Sequence, residues 1–381
     1  MRTATLLFAL GLAPALKAQD PQLVAFADTL IFNDSIRYTA FGHTGSAPLF
    51  VQAWFPLDGT IASPEGRLGP STLRFHDLRT PRLPPALKPV YQQLVLRMDS
   101  AFIDYCVRYP FDGDKPIDYA PYTEAQVKDS LFALPTHAHR STMPRSTQLP
   151  VIVYHHGSQG MSDENAWMAE WFAENGFVFL SCNWHWPVEG AMYGTPIQWE
   201  TDRSSIRTML HFARRLNGGN KVFYIGHSWG AQEGWCTLHE PGLADGFVSL
   251  ETTMEWKTDT AEVRDKWPRV LQAITTNTYT LPILMVADTD SLPPFPMFRG
   301  VRGKVRYLDP KEPFGHESYT SAYLLRRAGE GRFALPDREA MDAQFDLHAA
   351  MLKELLAFLQ EHAGMPVRRP AYPDGDPFHR W

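Results

Sequence analysis

The amino-acid sequence predicts an α/β protein whose mostly parallel central sheet is flanked by helices. Three observations carry this prediction. From residue 149 onward, short apolar runs alternate with helical patterns, which is the rhythm of consecutive βαβ units. The runs are continuously apolar, as in 151–154 and 222–225, which indicates strands covered on both faces. The pattern closes with an amphipathic helix at 341–362.

The individual elements are predicted in chain order. Two N-terminal strands at 29–32 and 48–55 come first. In 61–148 Pro is frequent, the apolar residues are scattered and only 90–107 is helix-like, so we expect an irregular insertion or cap-like extension of a single domain at 19–381. The predicted strands of the central sheet are 151–154, 177–180, 222–225, 247–250, 283–286 and 304–307, with helices at 164–175 and 202–216.

Composition and charge narrow the class of partner. The chain has 381 residues, of which 44% are hydrophobic and 20% charged, as is ordinary for a globular protein. Its net charge of −6, without a run of Lys or Arg, gives no electrostatic basis for binding nucleic acid. No segment after the N-terminus is long and apolar enough to be transmembrane. A small-molecule or lipid partner is therefore expected, and the oligomeric state is left open.

The N-terminus has the pattern of a cleavable signal peptide at 1–18. Arg2 supplies a positive charge, 5–16 is apolar, and the small residue Ala18 precedes a polar pair. The apolar stretch is too short to span a bilayer and is interrupted by Pro14. We therefore expect a periplasmic or secreted protein.

Neither a metal nor an organic cofactor is expected. The sequence shows no metal-binding or redox spacing of Cys, and no recognisable zinc spacing of His. An exported chain with three cysteines can form at most one disulfide, which leaves a free thiol. These cysteines are Cys106, Cys182 and Cys236.

The pentapeptide 226–230, Gly-His-Ser-Trp-Gly, is the strongest functional signal. It directly follows the predicted strand 222–225 and precedes a helical pattern, which is the context that gives the G-x-S-x-G motif its meaning. Such a turn strains the backbone of the serine, and the flanking glycines let strand and helix approach each other. Ser228 is therefore the predicted nucleophile.

Several stretches together resemble the α/β-hydrolases, in particular the dienelactone hydrolase and platelet-activating-factor acetylhydrolase-like group. They are VQAWFPLDG at 51–59, LPVIVYHHGSQG at 149–160, FYIGHSWGAQEG at 223–234, GFVSLETTMEW at 246–256, FGHES at 314–318 and LLAFLQEHAG at 355–364. The resemblance covers a little over half of the chain and has no counterpart for 61–148. It implies the α/β-hydrolase fold and a serine-based ester hydrolase.

An acyl-transfer site needs two amide donors for the oxyanion and a base that follows the nucleophile in the chain. The donors are predicted to be the backbone N–H of Trp229, next after the nucleophile, and that of Ser158, in a turn that looks like the family's His-Gly turn. Of the 14 His residues, only His316 lies on a Gly-flanked loop after the last predicted sheet strand. We therefore predict His316 as the general base.

The carboxylate that orients the base is left open between three positions. Glu251 ends a predicted strand 23 residues after Ser228 and resembles the position where acetylhydrolase-like members carry Asp. Asp290 lies 26 residues before His316, which is the usual spacing for the commoner acid position of this fold. Glu251 is favoured slightly, then Asp290, then Asp288.

The predicted activity is hydrolysis of a carboxylic ester through an acyl-enzyme. Two alternatives stay open: a peptidase or acyltransferase that uses the same residues, and a non-catalytic binding protein with this fold. Aromatic residues near the expected mouth of the site line an acyl pocket or serve ordinary packing. They are Trp184, Trp186, Trp229 and Trp256.

Overall fold

The structure is a computed structural model of the chain. It describes residues 23–57, 72–110, 115–184, 196–252, 254, 260–289, 305–329, 333, 338–373 and 375–381, with only the backbone described at 196–202 and 260. The predicted signal peptide at 1–18 lies outside these residues.

One sheet of ten strands runs through the described part of the chain. The strands are β1 (Leu23–Ala40), β2 (His43–Leu57), β3 (Ala138–Arg140), β4 (Val151–His155), β5 (Val178–Ser181), β6 (Val222–His227), β7 (Gly246–Leu250), β8 (Ile283–Val286), β9 (Val305–Pro310) and β10 (Phe378–Arg380). Their order in the sheet is β10-β9-β8-β7-β6-β4-β5-β2-β1-β3. The six strands β4 to β9 are mutually parallel, which confirms the predicted mostly parallel sheet.

Helices cover the parallel strands on both faces, as predicted. They are α1 (Lys88–Ala101), α2 (Glu124–Phe132), α3 (Ala166–Glu174), α4 (Pro196–Leu216), α5 (Trp229–Thr237), α6 (Thr260–Lys266), α7 (Pro268–Thr276), α8 (Ser321–Ala328) and α9 (Arg338–Ala363). Helix α4 packs on β4, α5 on β6 and β7, and α9 on β7 and β8. Every residue of β4, β6, β7 and β8 is buried, which explains why these strands are continuously apolar rather than alternating.

The N-terminal strand pair is longer than its apolar runs indicate. β1 and β2 pair antiparallel along their whole length, from Leu23 opposite Leu57 to the turn, with a register shift between Asn33 and Arg37. The shift has a polar anchor: the buried amide of Asn33 donates hydrogen bonds to the hydroxyls of two serines of α4, at 3.1 and 3.2 Å.

The segment predicted as an irregular insertion is more regular than expected where the structure describes it. Helix α1 continues into a π-helical stretch at Phe102–Arg108, and α2 and β3 follow. A buried ion-pair network attaches the segment to the rest of the domain: the Arg79 guanidinium binds Asp163 at 2.6 and 2.9 Å and Asp99 at 2.6 Å. The interpretation of this segment as a cap stays a prediction.

The C-terminal Pro-rich stretch also ends in structure. Strand β10 pairs antiparallel with β9, although no strand is predicted there. The short helices α6, α7 and α8 are likewise absent from the sequence prediction. All three cysteines are buried and none of them forms a disulfide. None of the described helices is long and apolar enough to cross a membrane.

The order of the strands places the site. The chain lays β5 on one side of β4 and then crosses over to place β6 on the other side. The loops that leave β4 and β6 at their carboxyl ends therefore diverge, and open α/β sheets bind ligands in the crevice that this reversal creates.

Candidate active site

The predicted nucleophile lies in a strained turn between β6 and α5. Ser228 has φ 51° and ψ −116°, a region that non-glycine residues rarely adopt. The two glycines of the motif cannot be replaced by residues with a side chain. A Cβ on Gly226 would lie 2.6 Å from the backbone nitrogen of Ala231, and one on Gly230 would collide with the His155 carbonyl of β4. The spacing of G-x-S-x-G thus follows from close approach of strand, turn and helix.

The end of β7 lies directly beside this turn. The backbone N–H of Ser228 donates to the carbonyl of Leu250 at 2.9 Å, and that of Glu251 donates to Val286 of β8 at 2.9 Å. Glu251 itself has φ 38°, so its backbone leaves the strand in a left-handed conformation. Its carboxyl group is buried.

His316 completes a contiguous array of three side chains. It begins a short 3₁₀-helix, His316–Tyr319, after β9. Its Nε2 lies 3.0 Å from the Ser228 hydroxyl oxygen, and its Nδ1 contacts the Glu251 carboxylate. With Nδ1–H donating to the carboxylate, Nε2 is left to accept the proton of the serine hydroxyl. The imidazole is 22% exposed, while the carboxylate behind it is 4% exposed, so the imidazole is the more accessible of the two groups.

The three predicted acids have different positions in the structure. Glu251 contacts the imidazole. Asp288 accepts a hydrogen bond from the backbone N–H of Phe314 at 2.7 Å and so supports the loop that carries His316. Asp290 lies outside the described residues.

The turn after β4 lies against the nucleophile, as the oxyanion prediction requires. A Cβ on Gly157 would lie 3.3 Å from the Cβ of Ser228, closer than ordinary van der Waals contact, so the backbone of the two turns is in close approach here. Ser158 follows in this turn, and Trp229 is the first residue of α5. Both predicted amide donors therefore belong to segments adjacent to Ser228.

The two histidines of this turn have structural partners. His155 Nδ1 donates to the Tyr224 hydroxyl at 2.6 Å, and Tyr224 in turn donates to the Gly230 carbonyl at 2.8 Å. His156 Nδ1 donates to the carbonyl of Gly157 at 2.8 Å, and its Nε2 accepts from the backbone of Trp184 at 3.2 Å. These bonds fix the turn rather than face a substrate.

Electrostatics favour a neutral imidazole at His316. Burial lowers the pKa of His316 well below its usual value, and the neighbouring charge of His227 acts in the same direction. The Glu251 carboxylate opposes both effects. A base that is neutral near pH 7 can accept the proton of an attacking hydroxyl.

Four buried polar residues around the array were not identified by the sequence analysis: His227, Glu164, Gln159 and Glu317. Gln159 donates from its amide to the Glu317 carboxylate, which ties the turn after β4 to the loop of the base. The position of His227 beside the serine and of Glu317 beside the base is visible in the sequence. Their contacts with Glu164 and Gln159 depend on tertiary structure.

The predicted aromatic lining is only partly described. Trp184 is buried, and its indole N–H donates to the Tyr154 carbonyl at 2.8 Å, so it packs rather than lines an open pocket. Trp229 is half-buried, and Trp186 and Trp256 lie outside the described residues. No group of three His, Cys, Asp or Glu side chains suited to a metal ion occurs in the described ranges.

No family model matches the chain, and no curated protein matches it. Among solved structures, it is similar to a ferulic acid esterase from Streptomyces cinnamoneus, with 16% identity over 93% of this chain and 95% of that chain and a TM-score of 0.52. It is also similar to Est1E from Butyrivibrio proteoclasticus, with 17% identity over 53% of this chain and 90% of that chain and a TM-score of 0.33. A dienelactone hydrolase from Anabaena variabilis has 17% identity over 49% of this chain and 85% of that chain, with a TM-score of 0.33. The first similarity extends over almost the whole of both chains, so the two share one fold.

Proposed function

From the α/β-hydrolase fold of this chain, we propose that the protein is a serine hydrolase that cleaves carboxylic esters through an acyl-enzyme. One observation carries the proposal. The Ser228 hydroxyl oxygen lies 3.0 Å from His316 Nε2, and the opposite nitrogen of that imidazole contacts the buried Glu251 carboxylate. Nucleophile, base and orienting acid in one line are the requirements for acyl transfer.

In the first half-reaction, the Ser228 oxygen attacks the ester carbonyl while its proton passes to His316 Nε2. The carbonyl oxygen becomes an oxyanion, for which the backbone N–H groups of Trp229 and Ser158 are the proposed donors. The Glu251 carboxylate stabilises the imidazolium. The intermediate collapses as the bond to the alcohol oxygen breaks, and that oxygen takes the proton from Nε2. Ser228 is left acylated.

The second half-reaction repeats these steps with water. His316 Nε2 takes a proton from the water, whose oxygen attacks the acyl carbonyl. The bond to the Ser228 oxygen then breaks, and the proton on Nε2 returns to that oxygen. The carboxylic acid leaves, and the site is restored. The reaction needs no metal or organic cofactor.

Esters of small molecules or lipids are the proposed substrates, since an ester has a better leaving group than an amide and the solved structure that is similar over 93% of this chain is a ferulic acid esterase. Acyl-chain length and alcohol are set by the surfaces around the mouth of the site. Hydrolysis of p-nitrophenyl acetate, butyrate and octanoate, together with a short-chain phospholipid, would define this preference.

The test of the proposal is Ser228→Ala compared with Ser35→Ala, an exposed serine of β1. We expect Ser228→Ala to lower kcat by a factor on the order of 10³ or more, because the attacking atom is lost. A fluorophosphonate probe should label the wild type and Ser35→Ala at Ser228 and leave Ser228→Ala unlabelled. Hydrolysis by Ser228→Ala within a few-fold of wild type would rule out the proposed mechanism. If the probe labels the wild type, and the unmodified enzyme in a separate assay transfers the acyl group of an ester to an added alcohol or amine faster than to water, the protein is an acyltransferase.

We also propose export through the N-terminal segment, with cleavage after Ala18. Its support is the sequence pattern of one positive charge, an apolar stretch and a small residue. Expressed in a bacterium with its full sequence, the protein should be recovered outside the cytoplasm with Gln19 as its first residue. Mass spectrometry that finds Met1 on the exported protein would contradict a cleaved signal.

A further inference from the structure

His227, the residue before the nucleophile, is buried behind the imidazole of the base. Its Nε2–H donates to the backbone carbonyl of His316 at 3.0 Å. The two imidazole rings are adjacent, with 4.9 Å between their centroids and an angle of 36° between their planes. The side chain of His227 is wholly inaccessible to solvent. A residue of the serine turn thus holds the main chain of the residue that must accept the serine proton.

The second nitrogen of His227 faces a buried carboxylate. Glu164 Oε1 lies 3.6 Å from His227 Nδ1, and the Glu164 side chain is also wholly inaccessible. The same oxygen accepts hydrogen bonds from the Tyr154 hydroxyl and, at 3.3 Å, from the backbone N–H of Gly157. Glu164 therefore connects His227 to the turn that carries Ser158.

The charges of the two groups support each other. Burial alone would lower the pKa of His227, but the charge of the Glu164 carboxylate, which lies 3.6 Å from Nδ1, raises it. Burial likewise opposes ionisation of Glu164, and His227 is the main cause that lowers the pKa of the carboxyl. Each group therefore shifts the other towards its charged form, His227 towards the imidazolium and Glu164 towards the carboxylate.

Other titratable groups also face His227. Two of them, His316 itself and Glu317, belong to the 3₁₀-helix of the base. The charge of the Glu317 carboxylate also raises the pKa of His227. The ring of Tyr319, from the same helix, stacks on the His227 ring with 6.1 Å between the centroids. From the turn after β4, the charge of His156 acts on Glu164.

We propose that His227 and Glu164 form a buried positioning pair that fixes His316 in line with Ser228 and keeps its imidazole neutral, an inference that rests on the proposed serine-hydrolase function. The hydrogen bond to the His316 carbonyl fixes the position of the base. The cation on His227 disfavours a second positive charge on the adjacent ring. Because Glu164 also binds the Gly157 amide, the pair fixes the base and the proposed oxyanion turn relative to each other.

The test compares His227→Ala, His227→Gln and Glu164→Gln with the wild type on one p-nitrophenyl ester across pH 5 to 9. We expect His227→Ala to lose kcat by a factor on the order of 10² with KM nearly unchanged, since misplacement of a base by about 1 Å has an effect of this size. His227→Gln keeps a donor for the carbonyl and should recover most of that kcat.

The pH profile separates positioning of the base from general support of the fold. His227→Gln removes the cation and leaves the Glu164 carboxylate, so the acid limb of kcat/KM should move to higher pH, by about 0.5 to 1 unit. Glu164→Gln removes the counter-charge that keeps His227 protonated and should move the limb in the same direction by a smaller amount.

His348→Gln is the matched control. His348 is also buried, and its Nδ1 donates to the carbonyl of Ser318 in the same 3₁₀-helix at 2.9 Å, but its ring comes from α9. This variant should keep both kcat and the acid limb.

Fluorophosphonate labelling of Ser228 identifies which proposal fails. A wild type that is neither labelled nor active removes the hydrolase function and the positioning pair with it. The positioning pair alone is overturned if the wild type is active and reacts with the probe, and if His227→Ala and His227→Gln have the same kcat and the same acid limb as the wild type. If His227→Ala does not fold, the result for His227→Gln decides.

Discussion

At the scale of single residues, the site is built from two strained backbones that lie side by side. Ser228 and Glu251 both have positive φ, at 51° and 38°, and each directly follows a strand of the parallel sheet. The Ser228 amide donates to the carbonyls of Leu250 and Glu251, at 2.9 and 3.1 Å. Strain of this kind persists where the surroundings over-determine the conformation. Here the hydrogen-bond ladders of β6 and β7 fix both residues at once.

The position of Glu251 leads to a prediction about the acid. Glu251→Gln should lower kcat/KM on one ester by about 10² to 10⁴, because an amide neither fixes the imidazole tautomer nor stabilises the imidazolium. Asp288→Asn, which keeps the oxygen that accepts from Phe314, should lose less than about ten-fold. Asp290→Asn provides the third comparison, with circular dichroism to verify folding. If Asp290→Asn loses most of its activity while Glu251→Gln stays near that of the wild type, the acid is Asp290, which follows β8 in the chain.

The sequence predicts Ser228 and His316 as candidate site residues, and the structure brings their side chains within 3.0 Å of each other. Their signals are local: a pentapeptide between a strand and a helix, and a Gly-flanked histidine after the last sheet strand predicted. The acid has no such signal. Glu251 and Asp290 both follow apolar runs, and only the packing of β7 against β6 brings the first of them to the imidazole. The contact between His227 and Glu164 also depends on tertiary structure, since 63 residues separate them in the chain.

At the scale of secondary-structure elements, the serine turn depends on the distance between α5 and β4. The two segments touch at Gly230, where a side chain would run into the His155 carbonyl. That contact brings the first turn of α5, with the Trp229 amide, beside the turn after β4. Helix and strand must therefore stay this close for the two proposed oxyanion donors to face one point.

Gly230→Ala should accordingly lower both stability and activity. Overpacking a rigid backbone contact destabilises proteins by about 1–3 kcal/mol, and we expect Gly230→Ala to lie at or above the upper end of this range. Urea unfolding followed by circular dichroism measures the change. Gly45→Ala in β2 is the control, because a Cβ there meets its nearest atom at 3.4 Å, and it should stay within about 0.5 kcal/mol of wild type. Equal stability of the two variants would contradict the close-contact explanation.

The buried parallel strands β4 to β8 were predictable to within one or two residues because continuous apolar runs mark them, whereas β9 extends three residues beyond its predicted end at 307. Other elements were not. β1 spans 18 residues, of which the prediction covered only 29–32. Its part at 33–40 alternates between buried and exposed positions and has no continuous apolar run, whereas the buried apolar start at 24–27 was left out of the prediction. β10 has three residues, too few for any periodicity. α2 lies in a Pro-rich region, where its capping by Thr123 and Gln126 is visible only once the helix is known.

At the scale of the whole molecule, buried histidines make the stability of the fold depend on pH. His348 of α9 is enclosed between that helix and the 3₁₀-helix of the base, and burial lowers its pKa to about 4, although the hydrogen bond to the Ser318 carbonyl opposes this. In an unfolded chain the group titrates near 6.5. Between these values the unfolded state binds a proton that the folded state does not. The contribution to stability is therefore present above pH 6.5 and is lost as the pH falls towards 4.

The free energy of unfolding of the wild type should thus fall between pH 7 and pH 4.5, and His348→Gln should remove part of this fall. A histidine whose pKa is lowered from 6.5 to about 4 contributes roughly 2–3 kcal/mol to this fall between pH 7 and pH 4.5. Urea unfolding of both proteins at the two pH values gives the difference between their pH dependences. Parallel curves for wild type and variant would mean that His348 does not contribute to acid sensitivity.

The short strand β10 affects whether molecules of this protein can associate through the edge of the sheet. By pairing with β9 it occupies the hydrogen-bonding edge that β9 would otherwise present, and unpaired edges are templates for strand addition between molecules. Buried Phe378 and the bond of Arg380 to Glu354 at 3.0 Å hold it there. Removal of 377–381 should therefore turn a discrete particle into one that associates through its sheets, with a larger mass in light scattering and a faster rise in turbidity on warming. An affinity tag fused after Trp381 would perturb the same edge, whereas the opposite margin of the sheet, at β3, is distant from it.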